Sequence, residues 1–383
     1  MKMSVDFNRE VDRRSTSDVK WRPEGLKGYL PIEVSENEIP MWIADMDFAC
    51  PECIVRAIKE RADKEIFGYC SYKQEYYDAL TWWFDKRFGM KIHTDLVSMM
   101  PTVVSAINVA IRAFSNPGDK VIIQQPVYDP FAELIKKTGR VMVNNGLICN
   151  DGLYEMDFPL LEEQAADPDA KIMILCSPHN PVGRVFTRKE LEELFEFAAR
   201  HDIVVVADEI HSDLVLEGQH IPAITLGEEE RQRVILHHSA SKTYNIPGLP
   251  LAFAVIPNEE LRHKYEEVAA TMHAPFDTLS FIAFEAAFTK GEEWRQELLK
   301  YLRENKKWLD ERISRIPGLS ICHSEGTYLG WIDARETGVS DPAGFFMKEA
   351  GVKFNDGDSF SAPGFVRVNF ACPRSYLEEA FDR

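Results

Sequence analysis

The chain has 383 residues, room for two or three domains or for one large core with an appendage. With 45% apolar and 28% charged residues, and 21 glycines and 21 prolines in no repeat, it has a globular composition, which excludes disordered, collagenous and fibrous classes. Lys and Arg number 44 against 62 Asp and Glu, a net charge of −18, so nucleic acid is repelled on average and any anionic ligand must be held locally.

The opening MKMSVDFNREVDRRSTSDVKW is charged throughout and lacks the apolar middle of a secretory signal, and no apolar run approaches the roughly 18 residues of a membrane span. The expectation is a cytoplasmic protein with no membrane and no nucleic-acid partner. Seven dispersed cysteines, an odd number, are expected to be reduced. Cys50 and Cys53 form one C-x-x-C, read as small residues opening a helix behind Pro51.

In chain order, residues 1–50 are rich in charge and turn formers and show no core pattern of their own, so they are expected to pack on the small domain and the site entrance. Tyr76, Leu80, Trp83, Phe84 and Phe88 recur at helical spacing, the mark of a core-packing face. From residue 96 the chain alternates apolar runs with helical patterns: a strand at 96–100, a helix at 103–114, and strands at 121–125, 140–144 and 171–176. A helix at 187–200 follows, opened by a Thr187/Glu190 capping box, with Leu191, Leu194, Phe195 and Ala198 on one face. Strands at 203–207, 234–238 and 251–256 complete a set that suits a sheet buried on both faces. This predicts the α/β class, with a large domain over 51–288 built on a mostly parallel sheet flanked by helices. After Lys290 come a long charged helix through Arg312 and strands at 319–323, 328–333 and 365–370, a smaller α+β domain over 289–383.

In open α/β sheets, ligands gather beyond the carboxyl ends of the strands, so the residues that follow each apolar run are informative. The run at 171–176 ends in Ser177-Pro178-His179-Asn180-Pro181, that at 203–207 in Asp208-Glu209-Ile210-His211, and that at 234–238 in Ser239-Ala240-Ser241-Lys242. An amine and a carboxylate delivered to one crevice suit pyridoxal phosphate, which needs a lysine for its Schiff base and an acid opposite its ring nitrogen. That assigns Lys242 and Asp208, with Asn180 donating to the ring oxygen. Asp45 and Asp47 lack the further carboxylates of a cation loop, so no metal is expected there.

SPHNPVG, VVVADEIHSD and SASKTYNIPG, in this order and at these separations, resemble the fold-type I pyridoxal-phosphate enzymes of the aspartate aminotransferase superfamily. MWIADMDF (41–48), DRRSTSDVKW (12–21), FGYCSY (67–72), PVYDPF (126–131) and FVRVNFACPRS (365–375) are similar to its MalY/PatB cystathionine β-lyase branch. The resemblance implies pyridoxal 5′-phosphate as cofactor, Lys242 as the Schiff-base lysine, Asp208 as the ring-nitrogen partner and Asn180 as the ligand of the ring oxygen and a substrate contact. It implies Tyr128 stacked on the ring. The phosphate would rest on the amides of Val103 and Val104 at a helix N-terminus, helped by the Ser239 hydroxyl. Arg367 would clamp the substrate carboxylate. Tyr69 would reach the neighbouring subunit's phosphate, which makes a homodimer with shared active sites.

Two positions depart from the superfamily and one from the branch. Most superfamily aminotransferases carry an arginine eight residues after the lysine, where this chain has Pro250, and many carry tyrosine where it has His211. Both departures resemble the lyase branch. His211 is read either as a cofactor neighbour or as a polar residue satisfied near a helix start. Thr102 replaces the glycine common in the branch and narrows the expected phosphate cup. The activity implied is α,β-elimination from a cysteine S-conjugate such as L-cystathionine, with an aminotransferase, or an additional regulatory protein-binding role, as alternatives.

Overall fold

The structure, a computed structural model, describes residues 5–21, 37–71, 73–272 and 276–383. Tyr72, the last residue of the FGYCSY segment, lies outside them, as do 1–4 and 22–36 of the N-terminal region.

Seven strands form the large sheet: β1 (Val97–Met100), β2 (Lys120–Ile123), β3 (Val141–Asn144), β4 (Ala170–Cys176), β5 (Val204–Asp208), β6 (Val234–His238) and β7 (Ala252–Val255). Their spatial order is β1-β7-β6-β5-β4-β2-β3. The run from β6 to β3 is parallel, and β7 is antiparallel to both of its neighbours. Every strand residue of β6 and β7 is buried. The expectation of burial on both faces fails at β3: it is the sheet edge, and Val141 is exposed.

The helix Val103–Phe114 lies across the sheet, with Ala106, Ile107, Val109, Ala110 and Ile111 fully buried. Apolar residues at three- and four-residue spacing give it that face. Its start is fixed by a reciprocal cap: Thr102 Oγ1 accepts from Ser105 N–H at 3.0 Å, and Ser105 Oγ accepts from Thr102 N–H at 3.1 Å. The predicted capping box at Thr187 and Glu190 likewise opens the helix Arg188–Arg200. Tyr76, Leu80, Trp83 and Phe84 are buried on the helix Gln74–Phe88, where Trp83 stacks on His238 at 4.6 Å between ring centroids. All seven cysteines are free, and Cys53 is buried in the helix Glu52–Ala62.

The long helix Glu292–Ile313 leads into a four-stranded sheet of Ser320–Ile321, Leu329–Asp333, Phe365–Asn369 and Asn355–Asp356, in that spatial order. The strand expected at 319–323 contracts to two residues because it pairs on one side only, with the end of Leu329–Asp333. Ile39–Pro40 pairs in parallel with Val352–Lys353 in a separate two-stranded sheet and leads into the 41–48 loop. Among the described N-terminal residues, Phe7 is buried among Phe48, Trp294 and Tyr301.

Candidate active site

The ladder of the large sheet aligns the three predicted strand ends. Cys176 pairs with Asp208, and Asp208 with His237, so the residues that follow β4, β5 and β6 emerge side by side. Asp208 is buried, and its Oδ1 accepts from Ile210 N–H at 3.1 Å. Burial pushes its carboxyl up to about 7, against the pull of the Ile210 amide and Lys242. Burial also brings the Lys242 amine down to about 8; Asp45 and Asp208 oppose that fall and Arg367 adds to it. The two groups therefore share one electrostatic environment.

Asn180 is buried, and its Oδ1 accepts from Arg367 Nη1 at 3.0 Å. Arg367 comes from the small sheet; its Nη2 donates to Trp42 O at 2.7 Å and its guanidinium lies over the Phe360 ring at 4.9 Å. Its Nε has no hydrogen-bond partner among the described residues, and burial lowers its pKa to about 10. His211 is buried against Tyr328, with ring centroids 5.9 Å apart, and burial holds it neutral. Its Nδ1 has no hydrogen-bond partner among the described residues.

Tyr128 is partly exposed and meets Phe131 edge to face at 5.6 Å. Val103 and Val104 stand at the first positions of their helix, Val103 buried and Val104 partly exposed. Ser239 Oγ is within 2.8 Å of both Leu251 O and Ser241 Oγ, so a phosphate oxygen at Ser239 competes with protein acceptors. Tyr69 is fully exposed on a surface segment with the exposed Ile66 and Phe67.

The 41–48 loop closes the other side of the crevice, and side chains determine its course. Trp42 O accepts from Arg367, Ile43 O and Asp45 O from Asn369 Nδ2, and Met46 O and Phe48 O from Asn245 Nδ2. Ala44 O accepts from Lys242 Nζ at 2.7 Å and from Tyr328 Oη–H at 2.9 Å. Asp45 and Asp47 hold Arg13 and Lys20. Sequence reasoning missed Asn245, Tyr328 and Asn369. Two of them carried a signal: Asn369 shares a strand face with Arg367 two residues earlier, and Asn245 follows Lys242 by three.

Residues 36–383 match the aminotransferase class I and II family. The chain belongs to that family. Within it, the chain is 35% identical to cystathionine β-lyase PatB of Bacillus subtilis strain 168, over 99% of this chain and 98% of PatB. Among solved structures, OvoB is 38% identical with a TM-score of 0.92, covering 98% of this chain and 97% of that one. The pyridoxal-phosphate-bound C–S lyase of Staphylococcus hominis is 31% identical with a TM-score of 0.92, covering 100% of this chain and 97% of its own. The mixed seven-stranded sheet is that of the family's α/β fold.

Proposed function

We propose that this chain is a pyridoxal 5′-phosphate-dependent carbon–sulfur β-lyase that cleaves L-cystathionine or a related cysteine S-conjugate by α,β-elimination, giving pyruvate, ammonia and a thiol. The observation that carries the reading is the buried Asp208 at the end of β5 and the Lys242 amine, which donates to Ala44 O, in one crevice with the Arg367–Asn180 pair. The site fits the cofactor: Asp208 can face a ring nitrogen, Lys242 an aldehyde carbon, and Asn180 and Tyr128 the ring's oxygen and face. His211 Nδ1 and Arg367 Nε are buried polar atoms still to be satisfied. The amides of Val103 and Val104, with Ser239, offer a phosphate seat.

When bound, the cofactor draws electrons away from the substrate's Cα and makes its proton acidic. Arg367 holds the substrate α-carboxylate in its guanidinium fork, and Asn180 steadies that fork. Burial lowers the pKa of Lys242 to about 8, which eases access to the uncharged amine able to take the Cα proton. Lys242 then carries that proton toward the departing sulfur. The rim of Ile66, Phe67 and Tyr69 fits a cytoplasmic homodimer in which Tyr69 reaches the partner's phosphate seat.

Amino-group transfer uses the same side chains; Pro250, in place of the superfamily's arginine, favours the lyase. The test is to mix the protein with pyridoxal phosphate and L-cystathionine, with and without a keto-acid acceptor, and resolve the products by NMR. Pyruvate, ammonia and homocysteine without acceptor are expected. Turnover only with acceptor, leaving the carbon–sulfur bond intact, overturns the lyase reading.

A further inference from the structure

The N-terminal segment brings two cations to the loop that touches Lys242. Arg13 Nη2 lies 2.7 Å from Asp45 Oδ2, and its Nη1 lies 2.8 Å from Asp47 Oδ1 and donates to Met46 O at 3.1 Å. Lys20 is almost fully buried; its Nζ donates to Asp45 O at 3.1 Å and lies 2.5 Å from Asp47 Oδ2 and 3.6 Å from Asp45 Oδ1. Trp21 Nε1 donates to Asp47 Oδ1 at 3.2 Å. This cluster grips the loop one residue beyond the carbonyl that receives the Lys242 amine.

We propose that Lys20 and Arg13 are positioning residues for Lys242, acting through Asp45 and the Ala44 carbonyl; the proposal rests on the reading of Lys242 as the cofactor lysine. A lysine freed from its cofactor needs a fixed place and an available lone pair. Donating one N–H to Ala44 O supplies the place. The lone pair depends on charge, and the groups that bear on Lys242 are Asp45 from the loop, Asp208 at the end of β5 and Arg367 from the small sheet, with neutral His211 and the Tyr328 hydroxyl beside them. Asp45 favours the ammonium form. Compensated by Arg13 and Lys20, its carboxylate can anchor the loop without locking the proton on the amine. With a cation removed, the field of Asp45 on Lys242 grows, and with the carboxylate neutralised it vanishes.

The two kinds of variant therefore move Lys242 in opposite directions, which a purely structural cluster does not do. The readout is the rate at which cofactor-free protein captures pyridoxal phosphate, followed by visible absorbance across pH, because only the neutral amine attacks the aldehyde. The wild-type midpoint is expected near 8. Lys20→Met should raise the midpoint by about half a unit or more, Asp45→Asn should lower it by a similar amount, and Lys20→Arg should restore it. Circular dichroism at each pH confirms that a variant is folded, and Arg13→Gln replaces Lys20→Met if the latter is not. Midpoints of the cation and carboxylate variants that stay at the wild-type value, or move the same way, overturn the proposal. Capture that persists in Lys242→Ala instead overturns the reading of Lys242 itself, and the two failures are separable.

Discussion

The two sides of the crevice are held by different means. Asp208 ends β5 directly beside Cys176 of β4, a spacing the ladder fixes before any side chain is considered, and Asn180 follows in the turn after β4. The 41–48 loop has no such ladder. Five side chains, from Arg13, Lys20, Asn245, Arg367 and Asn369, orient its carbonyls, and Lys242 and Tyr328 meet at one of them. Backbone pairing tolerates the loss of a side chain better than a loop whose carbonyls are held by side-chain donors.

The sharpest contrast pairs a substitution from each side. Leu175→Ala in β4 empties a buried position and should cost about 2–5 kcal/mol of stability in denaturant unfolding, with kcat/KM within about threefold of wild type below the melting temperature. Asn369→Ala removes donors from Ile43 O and Asp45 O and the acceptor for Ala371 N–H; it should cost about 1–3 kcal/mol and lower kcat/KM by about tenfold or more. Unimpaired catalysis by folded Asn369→Ala would remove the distinction.

The next effect depends on pH. In the cofactor-free protein the Asp208 carboxyl keeps its proton up to about 7, whereas in the unfolded chain it ionises near 3.8. Its contribution to stability is therefore full below about 4, falls as pH rises toward 7 and is flat above. Asp208→Asn should match wild type at low pH and exceed it by up to about 4 kcal/mol at pH 7.5, as read from urea unfolding at each pH. A stability difference independent of pH would show that the carboxylate is stabilised by its neighbours. The smallest effect concerns the start of the helix Val103–Phe114: Thr102→Ala removes the cap from Ser105 N–H and should cost about 1 kcal/mol in thermal unfolding.

The strand-end side was legible in the sequence because apolar runs that stop at polar residues mark both the strands and their carboxyl ends. The antiparallel placement of β7 and the exposed edge at Val141 were not, since a four-residue apolar run has the same pattern at the centre or the margin of a sheet. The loop was visible only as the MWIADMDF motif. Its partners lie at residues 13, 20, 245, 328, 367 and 369, and neither periodicity nor composition records which distant amide meets which carbonyl. Asp45 and Asp47 show the difference: in the sequence they are two acids without a metal pattern, and in the fold they are the anchor for Arg13 and Lys20.

At Ile43 and Ala44 the loop is fastened through its carbonyls, whereas Asp45 and Asp47 are also held by their side chains. Ile43 and Ala44 are only partly buried, and the atoms through which Asn369, Lys242 and Tyr328 grip them are present in every amino acid. Substitutions there alter the surface of the crevice without altering what holds it in place, so evolution can retune which thiol is accepted while the proton-transfer apparatus stays where it is.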